Sequence, residues 1–193
     1  MIDNIAMNEH IRSKSSKSQR SLQAESDIVP VWRRLIVLLT WVALLALFFA
    51  QTEIQIEGSA GWGANLPTWR IEKHWLLDIF WGGRAMTGYH AWVFPFISLV
   101  FHFPLFFFHT WTMKLEARAL ASIMSFWIME DFLWFVLNPA FGLARFDPAY
   151  IPWHKHWLWC VPTDYWTFLT LACGLFWFSY FSATRGEKKV NEV

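Results

Sequence analysis

The sequence predicts an all-α, polytopic membrane protein: a four-transmembrane-helix bundle with two Trp-rich non-cytoplasmic loops that contain short interfacial helices. Three observations predict it. Four apolar runs are separated by connectors rich in turn-forming residues. The 193 residues include 15 Trp and 19 Phe, a density that suits aromatic belts at two membrane interfaces better than a soluble core. Basic residues also concentrate on alternate connectors, as the topology of a multi-pass chain requires.

Residues 1–30 are polar, Ser-rich and basic (Arg12, Lys14, Lys17, Arg20) and lack a helical apolar stripe. They are expected to be a disordered cytoplasmic tail. Residues 31–184 are expected to form the integral membrane domain, with residues 185–193 as a second cytoplasmic tail. Arg33 and Arg34 precede the first span, about residues 35–50, which is of signal-anchor type. Cleavage after Ala50 would place bulky Phe48 at the −3 position, so this segment is read as retained.

The first loop, residues 51–88, gathers Gly58, Gly61, Gly63 and Pro67 among aromatics. Residues 75–81 have the makings of a short interfacial helix, broken by Gly82-Gly83-Arg84. The second span, about residues 91–108, contains Pro95 and Pro104, which membrane helices tolerate when neighbours satisfy the freed carbonyls. The third, about residues 119–137, is stopped by Asn138-Pro139. The second loop covers 138–162, and the fourth span is about residues 165–181.

Eleven basic residues lie on the tail side and five (Arg70, Lys73, Arg84, Arg145, Lys155) on the other. Both termini are therefore expected to be cytoplasmic, with the two loops together on the opposite face. Seven Trp fall in those loops, which suggests an aromatic lid or a lipid-facing platform. Cys160 and Cys173 would stand about 20 Å apart along a helix, too far for a disulfide.

The third span carries the chemistry. Glu130 and Asp131 are adjacent carboxyls within an apolar helix, where ionisable groups are costly and rarely idle. Neighbours on a helix point about 100° apart, so the two cannot aim at one spot. They are the candidate catalytic residues. Trp127 and Trp134 share the face of Glu130 and, with Arg84 and Tyr89, are the candidate substrate-binding residues. His90, His154 and His156 fall at the same end of the bundle, and as a His and carboxyl set they would suit a transition metal such as iron, zinc or copper. His102 and His109 lie seven apart on the second span and are read as interhelical hydrogen-bonders.

Several classes are excluded. A net charge of +1 without a basic stripe gives nucleic acid no footing. No CxxC, GxxxxGK[ST] or GxSxG motif occurs.

Met129-Glu-Asp-Phe-Leu-Trp-Phe resembles the acidic, aromatic helix motif of small membrane lycopene cyclases, over fewer than ten residues and without the proline that precedes it there. The resemblance implies a carboxyl acting as an acid towards a polyene. The function expected is an integral membrane enzyme for a lipid or isoprenoid-type substrate, using the Glu130–Asp131 pair with nearby His, with or without a metal. The alternative is a non-enzymatic membrane subunit or assembly factor. Membrane lipids and a lipophilic substrate are the expected partners, and a second copy or another membrane protein is a further one.

Overall fold

The computed structural model describes residues 29–81 and 83–182. The tails expected at 1–30 and 185–193 lie outside them apart from Val29 and Pro30, as does Gly82. Two compact units divide the chain, residues 1–38 and 39–193. In the first, the carbonyl of Pro30 accepts from the Arg33 and Arg34 amides at 3.0 and 3.4 Å, and the Arg33 guanidinium lies over the Trp32 ring.

The elements, in order, are α1 (Val31–Glu57), β1 (Arg70–Ile71), α2 (Trp75–Phe80), β2 (Met86–Thr87), α3 (Gly88–Phe107), α4 (Met113–Leu137), a 3₁₀ turn (Leu143–Arg145), β3 (Trp157–Leu158), β4 (Val161–Pro162) and α5 (Thr163–Phe181). The helices α1, α3 and α4 are long and apolar enough to cross a membrane, so the chain is a multi-pass membrane protein by length and composition.

Burial runs opposite to that of a soluble protein. Val37, Phe48, Trp92 and Phe106 are each more than 60% exposed, whereas Ala46, Ala50, Ala121, Ser122 and Glu130 are buried. Large apolar groups gain nothing by leaving lipid, so small residues take the helix–helix contacts and polar ones face inward. The α4–α5 contact is the most extensive between helices. Its buried small residues include Ala172 and Ser179 on α5, and Ser179 Oγ accepts from Arg118 Nε at 3.1 Å.

The helices begin and end for local reasons that move several expected boundaries. α1 does not stop near residue 50 but continues to Glu57, because the inward stripe Val42, Ala46, Ala50 runs on through Glu53 and Glu57. Gly58 ends it with φ 67°, its amide bonding to Ile54 O, as a C-terminal glycine does. α3 starts at Gly88 because the Thr87 side chain caps it, accepting from the His90 amide. α4 starts at Met113 under the Thr112 cap, so Lys114 and Arg118 lie on the helix and not in a loop. α3 ends at Phe107, and His109 has φ 49°, so His102 and His109 do not share a helix face.

The α4 terminus bears out the Asn-Pro stop. Asn138 Oδ1 accepts from the Ala140 amide at 2.9 Å, while Nδ2 donates to Gly58 O at 2.8 Å. One side chain thereby ends α4 and fastens it to the end of α1. The first loop is closed by the antiparallel pair β1–β2, with Arg70 opposite Thr87 and Ile71 opposite Met86. The second contains the pair β3–β4, with Trp157 opposite Pro162, and the 3₁₀ turn takes the place of an interfacial α-helix there. The apolar core of Ala50, Ile54, Trp134, Phe135 and Ile151 joins α1 and α4 to the second loop. Cys160 and Cys173 are free thiols, as their spacing predicts.

Candidate functional site

Glu53 and Glu57 sit four apart on α1, and Glu130 lies one helical turn before Trp134 on α4. These faces meet the loop residues at a cavity of about 320 Å³. Five carboxyl side chains line it: Glu53, Glu57, Glu130, Asp131 and Asp164. Five indoles do as well: Trp62, Trp81, Trp127, Trp134 and Trp153. The volume falls at the lower end of small-ligand sites, which run from about 300 to 1,000 Å³.

The acids divide into two groups. In the first, Glu53 and Glu130 both line the cavity, and the Tyr89 hydroxyl donates to Glu53 Oε1 at 2.8 Å. Neighbouring buried carboxylates repel, so a proton on one of them is what would let both share the cavity wall. Glu130 is 3% exposed, yet its Oε1 has no hydrogen-bond partner, and neither does the Nε1 of Trp134, which is 4% exposed. An unpartnered buried polar group costs about 1–3 kcal/mol, so these two side chains, one turn apart on α4, are held there at a cost.

The second group is an ion-pair network. Arg84 donates through Nη2 to Asp164 Oδ2 at 2.5 Å and lies 3.1 Å from His154 Nδ1. His154 Nε2 meets Asp131 Oδ2 at 3.1 Å, and the same oxygen accepts from the Tyr165 hydroxyl. The Arg84 guanidinium also lies over the Trp62 ring, 4.5 Å from its centroid, and its Nε donates to Trp81 O. This network ties the first loop to the second and to α5.

Glu57 has a different task. Its carboxyl accepts from the Gly63 amide, while Arg70 donates to Gly63 O, so the glycine-rich turn is held from both sides. Gly61, at φ 56°, packs where a Cβ would meet the Trp153 ring. The glycines here let the backbone pass beneath an indole of the cavity wall.

Burial by itself would lower the pKa of His154, but the charges and hydrogen bonds of Asp131 and Asp164 outweigh it and raise the pKa above the ordinary 6.5. A raised folded pKa contributes stability that is full below the unfolded value and lost as pH rises through the folded one. Thermal unfolding of the wild type is therefore expected to show falling stability above neutral pH. His154→Gln should flatten that limb, and an unchanged slope would assign the pH dependence to another group.

The expected site residues fare differently. Glu130, Asp131, Trp127, Trp134, Arg84 and His90 all line the cavity. Tyr89 does not line it, but acts on it through Glu53. The expected metal set of His90, His154 and His156 is not gathered. His90 stacks on Trp62 with centroids 4.0 Å apart and pairs its Nδ1 with Thr87 Oγ1 at 2.6 Å. His154 is held between carboxyls, and His156 is exposed. Among the described residues no three His, Cys, Asp or Glu side chains are grouped as a metal ion requires.

Glu53 and Tyr165 are the residues that reading the sequence missed. The signal for Glu53 was its i,i+4 spacing to Glu57 beyond Ala46 and Ala50, which puts four residues on one stripe. Compared with protein-family models, with curated proteins and with solved structures, the chain matches none.

Proposed function

We propose that this protein is an integral membrane enzyme that takes a lipid or isoprenoid-type substrate into the cavity and moves a proton onto it from the Glu53–Glu130 pair. The observation that carries this reading is the carboxyl pair itself. Glu53 and Glu130 are both buried and both line a cavity that five indoles also line, and a proton shared by two such carboxyls is available to a substrate there. Protonating such a substrate raises positive charge on carbon. The faces of Trp127 and Trp134 stabilise that charge, and the Asp131 carboxylate adds a fixed negative one. Loss of a proton from the neighbouring carbon to the carboxyl pair restores the acid, and the cycle is redox-neutral.

The reading includes four spans, with α5 as the fourth, and both termini cytoplasmic. The balance of eleven basic residues to five supports this orientation. The Trp-rich loops then cover the cavity from the non-cytoplasmic side.

Proton gain and loss at carbon leaves an isotopic trace. Purified protein in lipid discs, incubated with a host lipid extract in heavy water, is expected to place deuterium in the C–H bonds of one lipophilic species. If no species gains deuterium above a protein-free control, the enzymatic reading fails. A membrane protein that copurifies and depends on this chain for stability would then favour the subunit or assembly-factor role.

A further inference from the structure

We propose that the cavity recognises positive charge, and that the ligand class it takes is a lipophilic quaternary ammonium compound. This names the ligand chemistry of the same cavity. It rests on the proton-transfer reading only where competition with the substrate is tested.

The sign of the ligand follows from the groups around the space. Five carboxyl side chains line it against one guanidinium, that of Arg84. Arg84 and His154 are matched to Asp164 and Asp131. Among the described residues, Glu53, Glu57 and Glu130 form no ion pair. Glu53 accepts from the Tyr89 hydroxyl and Glu57 from the Gly63 amide, both neutral donors, and Arg70 is turned to Gly63 O. A proton on Glu53 or Glu130 reduces this excess of acid without removing it. Low-dielectric walls focus the field of such a set on the space they enclose, so a cation is drawn in without touching any one acid. Two of the lining carboxyls also keep accessible surface, the side chains of Asp131 and Asp164 being 23% and 22% exposed.

The kind of cation follows from the indoles. Trp62, Trp81, Trp127 and Trp153 line the cavity and are only partly buried. An indole face attracts a cation, and one face of this wall already carries one: the Arg84 guanidinium, 4.5 Å from the Trp62 centroid. Indole faces offer no lone pairs to a metal ion, and among the described residues the acids are not grouped as one requires. An anion is repelled by the carboxyls, and a neutral hydrocarbon gains nothing from them. A quaternary nitrogen carries its charge without asking for a hydrogen bond, which suits a wall of aromatic faces whose polar atoms are largely engaged. The cavity, about 320 Å³, holds more than a trimethylammonium head, and Phe94 and Phe168 offer apolar surface to the chain behind it. The carbocation of the proposed reaction bears the same charge, so an ammonium nitrogen is its stable substitute.

The test compares the dodecyltrimethylammonium ion with its neutral isostere, in which carbon replaces the nitrogen. Full-length protein is held in lipid discs free of choline lipids, with empty discs as the blank. The ammonium ion is expected to saturate a single site per chain and to bind at least about tenfold more tightly than the isostere. Trp127→Leu and Glu53→Gln should each cut that preference severalfold, with the unfolding midpoint checking the fold. Glu116→Gln, which removes an acid paired with His102 outside the cavity lining, should keep it. The ammonium ion should also compete with the substrate and suppress deuterium transfer to its carbon.

The inference fails if the ammonium ion and its isostere bind alike. It fails too if Glu116→Gln erases the preference as fully as the cavity variants do, since the attraction would then belong to the protein surface at large. Carbon that gains deuterium while charge is ignored would leave the proton-transfer reading standing alone. A charge preference with no deuterium gain would sink that reading and leave the inference.

Discussion

Replacing Glu130 by Gln is expected to lower the rate of deuterium transfer to substrate carbon by about 10²- to 10⁴-fold, the usual contribution of a positioned acid. The substitution keeps the shape of the side chain and gives it an amide that can donate to Glu53, so the contact between α1 and α4 is retained. What disappears is the transferable proton. Glu53→Gln should act in the same direction, because either change leaves one carboxyl of the pair on the cavity wall. Circular dichroism and the unfolding midpoint separate a chemical loss from a folding one. A Glu130→Gln protein that is folded and as active as wild type would remove Glu130 from the mechanism.

Arg84→Met is expected to produce the largest loss of stability, about 3–5 kcal/mol, as removal of one partner from a buried ion pair does. The Arg84 and Asp164 side chains are 10% and 22% exposed, so solvent screens them little. Without the guanidinium, Asp164 keeps His154 and Asp131 keeps His154 and Tyr165, and the stacking over Trp62 is lost as well. The double variant Arg84→Met/Asp164→Leu should recover much of the loss, since it removes the stranded charge together with its partner. Denaturant midpoints in detergent decide the matter. A single variant within about 1 kcal/mol of wild type would mean that the pair behaves as a solvent-screened surface bridge.

Much of the site is legible in the chain because α4 is a single helix, and helical geometry is local. Glu130 and Asp131 were expected to point apart, and they do: one to Glu53 on α1, the other to His154 in the second loop and Tyr165 on α5. Trp127 and Trp134 share the cavity with Glu130, as spacings of three and four residues require. The Asn138-Pro139 stop likewise needs nothing beyond its own residues.

The histidines show where local reasoning ends. His90 and His154 do lie at one end of the bundle, but proximity does not make a ligand set. His154 is spent on Asp131 and Asp164, and His90 on Thr87 and Trp62. Those competing partners come from segments up to tens of residues away, and no spacing in the sequence announces them. Glu53 was overlooked for a related reason. A run of apolar residues ending at Ala50 reads as the end of a span, and only packing against α4 gives the next two turns a buried face.

By itself the sequence determined the multi-pass helical class, the carboxyls in an apolar helix and the aromatic character of the loops. Each follows from composition and helical period, and lipid as solvent makes their cost plain. The tertiary structure decided which acids meet. It joined Glu130 to Glu53 across two helices and gave Asp131 to an ion-pair network. It also buried Glu130 Oε1 and Trp134 Nε1 with no donor or acceptor set against them. The physical reason is that a helix sets the direction of a side chain, but only packing sets what stands opposite it.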